Sequence, residues 1–258
     1  MIFYFSANGN TLWVAKTLAK LTDDRLLSMV SYLQNPYKLK LSENENIGFC
    51  FPVYGWQPPS IVNVFIEHLY LTTAHNHYCF AVCTAGDDIG ETMKLFKNEL
   101  KHLSLQPSAL FSIIMPETYV GLPFMDVDTI ANEQKKINEA RKKLEVVGKH
   151  IRSKAMITNI HKGVFPNIKT YLLGTIFTHW LVNDKLFHVD KHKCIKCGLC
   201  SKVCPVNDMV RDSEKYPQWI HNKRCLTCFA CYHHCPKHAI DFGTRTKNKG
   251  QYYFNHSL

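Results

Sequence analysis

Eight of the eleven cysteines follow one spacing written twice: Cys194, Cys197, Cys200 and Cys204 before Pro205, then Cys225, Cys228, Cys231 and Cys235 before Pro236. Each member of the second run lies 31 positions after its counterpart in the first. Three thiolates separated by two residues each can wrap one face of a cubane iron–sulfur cluster. The fourth, three residues on and followed by proline, is sent away as a short helix begins or ends. In two-cluster proteins it ligates the other cluster. Cys194, Cys197, Cys200 and Cys235 would then hold one 4Fe–4S cube, and Cys225, Cys228, Cys231 and Cys204 its mate. A structural zinc site asks for ligands in two pairs. A disulfide framework suits a small secreted chain better than this one of 258 residues.

A second chemistry is written at the other end. Met1 to Ser6 is an apolar, aromatic, β-favouring run, and it breaks into Ser6-Ala7-Asn8-Gly9-Asn10-Thr11. A helical pattern follows, with Val14, Ala15, Leu18 and Leu21 on one face. Strand, polar loop and helix N-terminus together make a cradle for phosphate, because orphan N–H groups and the positive end of the helix dipole point at the anion. Ser6, Asn10 and Thr11 add side-chain donors, and Gly9 allows close approach of the backbone.

The cysteine-rich stretch resembles the bacterial-type two-cluster ferredoxins over about residues 187–242. The N-terminal register Ile2-Phe3-Tyr4-x-Ser6-x2-Gly9-x-Thr11-x3-Ala15-x2-Leu18 resembles the flavodoxin phosphate loop, although Asn8 stands where many flavodoxins have threonine. That resemblance implies FMN held by three loops at the carboxyl ends of parallel strands. Candidates for the other two loops come in order: Tyr54, Gly55 and Trp56 after one strand, then Thr84, Gly86 and Asp87 after the next. An aromatic loop could stack on the flavin ring, and a glycine-rich one could bond its polar edge. Asp87 and Asp88 could instead cap a helix starting near Ile89, and Tyr119 is a further candidate neighbour of the flavin. As a whole the chain resembles the flavodoxin–ferredoxin fusions of anaerobic bacteria and archaea.

The elements that must position these residues alternate strand and helix, which predicts α/β architecture with a doubly wound, parallel, five-stranded flavodoxin-like sheet. Strands are expected at residues 1–6, 26–30, 46–53, 77–84 and 109–115, and helices at 10–21, 58–70, 89–103 and 127–153. The last helix carries Ile130, Ile137, Leu144, Val147 and Ile151 on one face. The expected division is a flavodoxin-like domain over 1–153, a connecting helical segment over 154–186, a small α+β two-cluster ferredoxin-like domain over 187–243 and a basic tail over 244–258. The apolar centre of the connecting segment, Tyr171 to Val182, is too short to cross a bilayer. It reads as a helix clamping the two parts, with an interfacial membrane helix as the alternative. Cys50, Cys79 and Cys83 fall on strands as buried thiols, and His233 and His234 are expected at the surface.

Charge separates the halves. Residues 1–153 carry 15 basic and 15 acidic side chains, and residues 154–258 carry 16 and 6, so the formal +10 arises wholly in the second part. Negatively charged cubes offset part of this, so the excess reads first as a solvated, cluster-balancing face; what remains could attract an acidic redox protein by steering. The basic residues are scattered and form no nucleic-acid motif, so no nucleic acid is expected. A first strand starting at residue 1 leaves no room for a signal peptide, which places the protein in the cytoplasm. The reading that follows is an electron-transfer protein joining FMN to two 4Fe–4S clusters, so that one- and two-electron carriers are coupled. Two alternatives stay open: a flavin-dependent reductase of a small molecule fed by the clusters, and an iron–sulfur redox sensor.

Overall fold

A computed structural model describes residues 1–72, 77–210 and 215–254, which form two compact units. The first unit comprises Met1–Ser6, Asn10–Pro116 and Ile130–Ile176. Its strands are β1 (Ile2–Tyr4), β2 (Leu26–Ser28), β3 (Ile47–Pro52), β4 (Cys79–Ala85), β5 (Ala109–Ile114) and β6 (Ile157–Asn159). They pair in the order β2-β1-β3-β4-β5-β6, every pair parallel. The five expected strands are all present, and β6 adds a sixth at the edge beyond β5.

The central strands are almost continuously apolar and buried, as a parallel sheet covered on both faces requires. Helices α1 (Asn10–Thr22) and α5 (Ile130–Arg152) pack against each other. The contact is close because α5 has glycine at position 148, where a Cβ would come within 2.9 Å of Leu21. The buried stripe of α5 starts at Ala140, so Ile130, expected on that face, lies exposed in the first turn. The short α2 (Met29–Gln34), α3 (Ser60–His68) and α4 (Thr92–Glu99) complete the layers, with Phe65 and Phe96 buried in the aromatic core. Residues 168–176 run as a π-helical stretch (Ile168–Leu173) into a short α-turn, α6 (Gly174–Ile176).

The second unit comprises Ala7–Gly9, Glu117–Thr129 and Phe177–Leu258, of which the last four residues lie outside the described ones. It is α+β. Strand β7 (Phe187–Val189) pairs antiparallel with β10 (Ile240–Phe242), and β8 (Met209–Val210) with β9 (Gln218–Trp219). Between them lie two four-residue helices, α7 (Leu199–Lys202) and α8 (Ala230–His233). Phe187, Phe229, Phe242 and Tyr232 form an aromatic core joined by Val120, Met209 and Ile240.

Candidate cofactor sites

The doubled cysteine spacing is matched by a doubled backbone. Left-handed φ angles occur at Lys196 (55°) and Thr227 (47°), at Gly198 (76°) and Phe229 (57°), and at Asn207 (51°) and His238 (45°). Each pair is separated by the 31 positions that separate the cysteines. Helix hydrogen bonds repeat in the same register: Lys202 N–H to Gly198 O and His233 N–H to Phe229 O, then Asn207 N–H to Cys204 O and His238 N–H to Cys235 O. The left-handed residues turn the chain sharply enough for three successive sulfurs to face inwards.

These turns bring together the crossed ligand sets. Cys194, Cys197, Cys200 and Cys235 line one cavity, whose walls also include Leu199, Pro217 and Ile240. Around the Cys231 thiol gather Cys228, Cys225 and Cys204; burial first, then those neighbours' charge, push its pKa well above the ordinary thiol value. Burial likewise raises Cys228 to about 12 and Cys200 to about 11. Thiols crowded in this way keep their protons in water but surrender them to iron, so metal binding there releases protons. The donor set fits iron–sulfur chemistry: soft thiolates gathered from both runs, with backbone N–H groups aimed at sulfur. Thr227 N–H donates to Cys225 Sγ at 3.4 Å and Ala239 N–H to Cys235 Sγ at 3.2 Å.

The surroundings of the two cages differ. Cys197 is exposed, as is Ile195, whereas Leu226 and Thr227 are buried beside Cys228. Near Cys225 lie Asp184 and Asp208, whose charges raise that thiol's pKa after the larger effect of burial. Asp208 is itself pushed to about 6 by burial and by Asp184. His221 Nδ1 sits 3.0 Å from Asp184 Oδ1. His233, expected at the surface, is buried. Its Nε2 lies 2.8 Å from the Thr118 carbonyl, and Tyr252 N–H donates to Nδ1 at 3.2 Å. Burial lowers its pKa to about 4. A neutral imidazole bonded at both nitrogens is a packing element.

In the first unit, parallel register (Tyr4 opposite Cys50, Pro52 opposite Thr84) brings the ends of β1, β3 and β4 to one edge of the sheet. Three contacts tie the loops there. Thr11 Oγ1 lies 2.8 Å from Thr84 Oγ1, and the Phe5 ring meets Tyr54 edge-on at 6.4 Å. Trp56 Nε1 donates to Asp88 Oδ1 at 2.9 Å. Tyr54 and Gln57 exchange both backbone hydrogen bonds across Gly55 (φ 54°) and Trp56 (φ 57°). Two successive positive φ values make this a type I′ turn. Gly86 and Asp87 follow β4 directly. Asp88 does not cap a helix, since α4 starts only at Thr92; its carboxylate takes Trp56 Nε1 and the Lys169 ammonium. Lys169 and Thr170 had no signal in the sequence. Thr170 Oγ1 accepts from Glu91 N–H at 2.8 Å and approaches Trp56 O at 3.3 Å.

The phosphate loop uses many of its side-chain donors inside the protein. Asn10 Nδ2 donates to Pro116 O at 2.9 Å, and Thr11 is 1% exposed against Thr84. Ala7–Gly9 pack with the second unit, where Asn8 Nδ2 donates to Cys228 O and Phe254 N–H to Asn8 O, both at 2.8 Å. Gly9, at φ 90°, leaves no room for a Cβ against Phe254. Strand β1 and the N-terminus of α1 stand in the order that a phosphate-binding loop uses. Tyr119 packs its ring against Phe229 at 5.4 Å and Phe177 at 5.1 Å, in the core of the second unit. Cys50, Cys79 and Cys83 are buried, and burial raises their thiol pKa values.

Two family models match the chain. A family model described as a flavodoxin domain matches residues 1–143, and one described as a 4Fe-4S dicluster domain matches residues 187–236. Ferredoxin-3 of Nostoc sp. is 39% identical over 68 residues, covering 20% of this chain and 70% of that protein. An uncharacterised protein of Methanocaldococcus jannaschii is 37% identical over 60 residues, 23% of this chain, and a second is 34% identical over 58 residues, 22% of this chain. The matched stretch spans only 22% of the length of each. Among solved structures, the rubredoxin oxygen:oxidoreductase of the anaerobe Desulfovibrio gigas gives a TM-score of 0.33 at 14% identity, covering 59% of this chain and 36% of that one.

Proposed function

The chain belongs to the flavodoxin family through residues 1–143, and from that premise we propose that it passes electrons between FMN in the first unit and two 4Fe–4S clusters in the second. Electron transfer through flavin and iron–sulfur is the chemistry these two domains share. The observation that carries the proposal is the cavity lined by three cysteines of one run and the fourth of the other. That crossed set is what two cubes in one small domain require. When bound, a cube exchanges single electrons and a flavin one or two, so a chain holding both couples one- and two-electron carriers.

The protein's own part is ligation, exclusion of water and control of charge. The N–H groups of Thr227 and Ala239 stabilise negative charge on the sulfurs of Cys225 and Cys235. Leu226 and Phe229 keep water from the second cage. Lys196 and the exposed Lys237 line the cavity that holds the exposed Cys197. They offer an acidic redox protein a docking point at the first cage, where electrons would enter or leave. For a flavin, loop amides at the start of α1 would hold the phosphate, and the Tyr54–Gln57 turn would supply aromatic contact to the ring.

Anaerobic purification followed by iron, sulfide and flavin quantitation tests this. About eight irons and one flavin per chain are expected. Zinc in the cages, or colourless protein, would overturn the cluster assignment. A full iron complement without flavin would overturn the flavin half alone.

A further inference from the structure

From Lys154 to Asn183 the chain has three lysines and no acidic residue. The part of this segment in the first unit is bolted down on one side. Thr170 is fully buried on Glu91 and Trp56, and a Cβ at Gly174 would run into the Gly55 carbonyl. The other side turns outwards a run of large apolar groups: Val164 (69% exposed), Phe165 (72%), Ile168 (53%), Leu172 (56%), Leu173 (44%) and Ile176 (48%). Ile168, Leu172 and Ile176 are four apart. In a pure α-helix such positions drift by about 40° per step, whereas the wider π stretch over Ile168–Leu173 offsets that drift and keeps them in one stripe.

Two further observations say what this stripe meets. Phe165 holds a left-handed φ of 50° while most of its ring stays in water, so folding gains nothing from the strain. Beside the stripe, Lys94 Nζ stands 5.8 Å over the Tyr171 ring. Lys94, Lys97 and Lys101 line the adjacent concavity on α4 and the turn after it. Of the acids beside the stripe, Glu91 is paired with Lys162 and Asp88 with Lys169, and Asp87 lies exposed at the Val164 end. An apolar stripe with aromatic residues and a border in which lysines outnumber unpaired acids matches the interface of an anionic bilayer. A symmetric contact with a second copy would set this lysine border against its own like charges. No helix among the described residues is long and apolar enough to cross a membrane, so the element would lie in the surface plane.

We propose that the Val164–Ile176 face is a membrane-surface anchor for anionic lipid. The inference is independent of the redox reading, since it uses neither the cysteine cages nor the flavin loops. Flotation of the full chain with vesicles tests it, comparing phosphatidylcholine alone with phosphatidylcholine containing phosphatidylglycerol. Binding to the anionic vesicles is expected to be at least about tenfold stronger and to weaken with salt. Leu172→Gln with Ile176→Gln should abolish it while the melting temperature stays put, because both side chains already face solvent; Phe165→Ser should weaken it. Lys97→Gln with Lys101→Gln should remove only the preference for anionic lipid. Failure of the wild-type chain to float, or unaltered flotation of the Leu172/Ile176 variant, overturns the proposal. So does a dimer in sedimentation that the same variant dissociates, since the face then belongs to a second copy.

Discussion

The two cysteine runs trace nearly the same backbone and sit in different worlds. Around the first, Gly198 takes the left-handed position at no steric cost, Cys197 and Ile195 meet water, and lysines stand nearby. Around the second, the same position is held by Phe229, whose ring is buried against Phe187, Phe242, Tyr232 and Tyr119. Leu226 and Thr227 replace the exposed Ile195 and the half-buried Lys196, and two carboxylates lie close by. Cage geometry thus follows from cysteine spacing and three left-handed turns. Solvent access and local charge, which tune a cluster's potential, follow from the residues between the cysteines. The first copy is the more exposed of the two, and the second puts more of its residues into the aromatic core.

The largest effect expected from this contrast is on metal content. Cys197→Ala and Cys228→Ala should each reduce iron to about half, near four per chain. The second should lower the thermal stability of the domain more, because Cys204, Cys225 and Cys231 of its cage all pack on the aromatic core, whereas the first cage meets that core through Cys200; equal loss of stability in both would erase the distinction. Next come the stability costs of the paired left-handed sites. Phe229→Ala should cost about 3–5 kcal/mol through the cavity it leaves, and Gly198→Ala about 1–2 kcal/mol through backbone strain alone. Denaturant unfolding of the cluster-loaded protein measures both. A third contrast is electrochemical. The shielded cage beside Asp184 and Asp208 should reduce at a lower potential than the exposed one, and Asp208→Asn should raise the lower wave only. A redox titration followed by electron paramagnetic resonance showing one wave, or both waves moving together, would contradict this.

The smallest effect lies in the first unit and serves as a control. Partial burial pulls the Glu45 carboxyl up, but the Ser42 amide and the Arg25 guanidinium bonded to it outweigh this and hold its pKa below the ordinary carboxylate value. A depressed carboxyl contributes stability above its unfolded pKa, and that contribution is lost as pH falls through the folded value. Glu45→Gln should therefore flatten the acid limb of the first unit's unfolding curve below pH 4.5 and leave the cages untouched.

Sequence revealed what is local and concealed what is paired at long range. Ligand spacing, the loop of residues 6–11 and the strands β1, β3 and β4 were legible because each is a short pattern with its own physical reason. So was the common edge of the sheet, since consecutive parallel strands must deliver their loops to the same side. His233 was misplaced because one residue beside a cysteine carries no sign of Thr118 and Tyr252, its distant partners. Asp88 looked like a helix cap because the local rule was satisfied, yet Trp56 and Lys169, 32 and 81 positions away, claimed its carboxylate. β6 escaped notice because three residues cannot display a period. The Phe165 turn left no sequence signal, since nothing marks a phenylalanine for a left-handed angle.

That sixth strand has a consequence for colloidal behaviour. β5 reads Ala-Leu-Phe-Ser-Ile-Ile, a six-residue apolar segment of the kind that seeds intermolecular β-stacking when bared. Ile157, Thr158 and Asn159 pair with its first half. With β2 at the opposite border, both outermost strands are only three residues long, so neighbouring molecules find little to zip onto. Trimming the chain near residue 155 would strip that guard and bare the edge of β5.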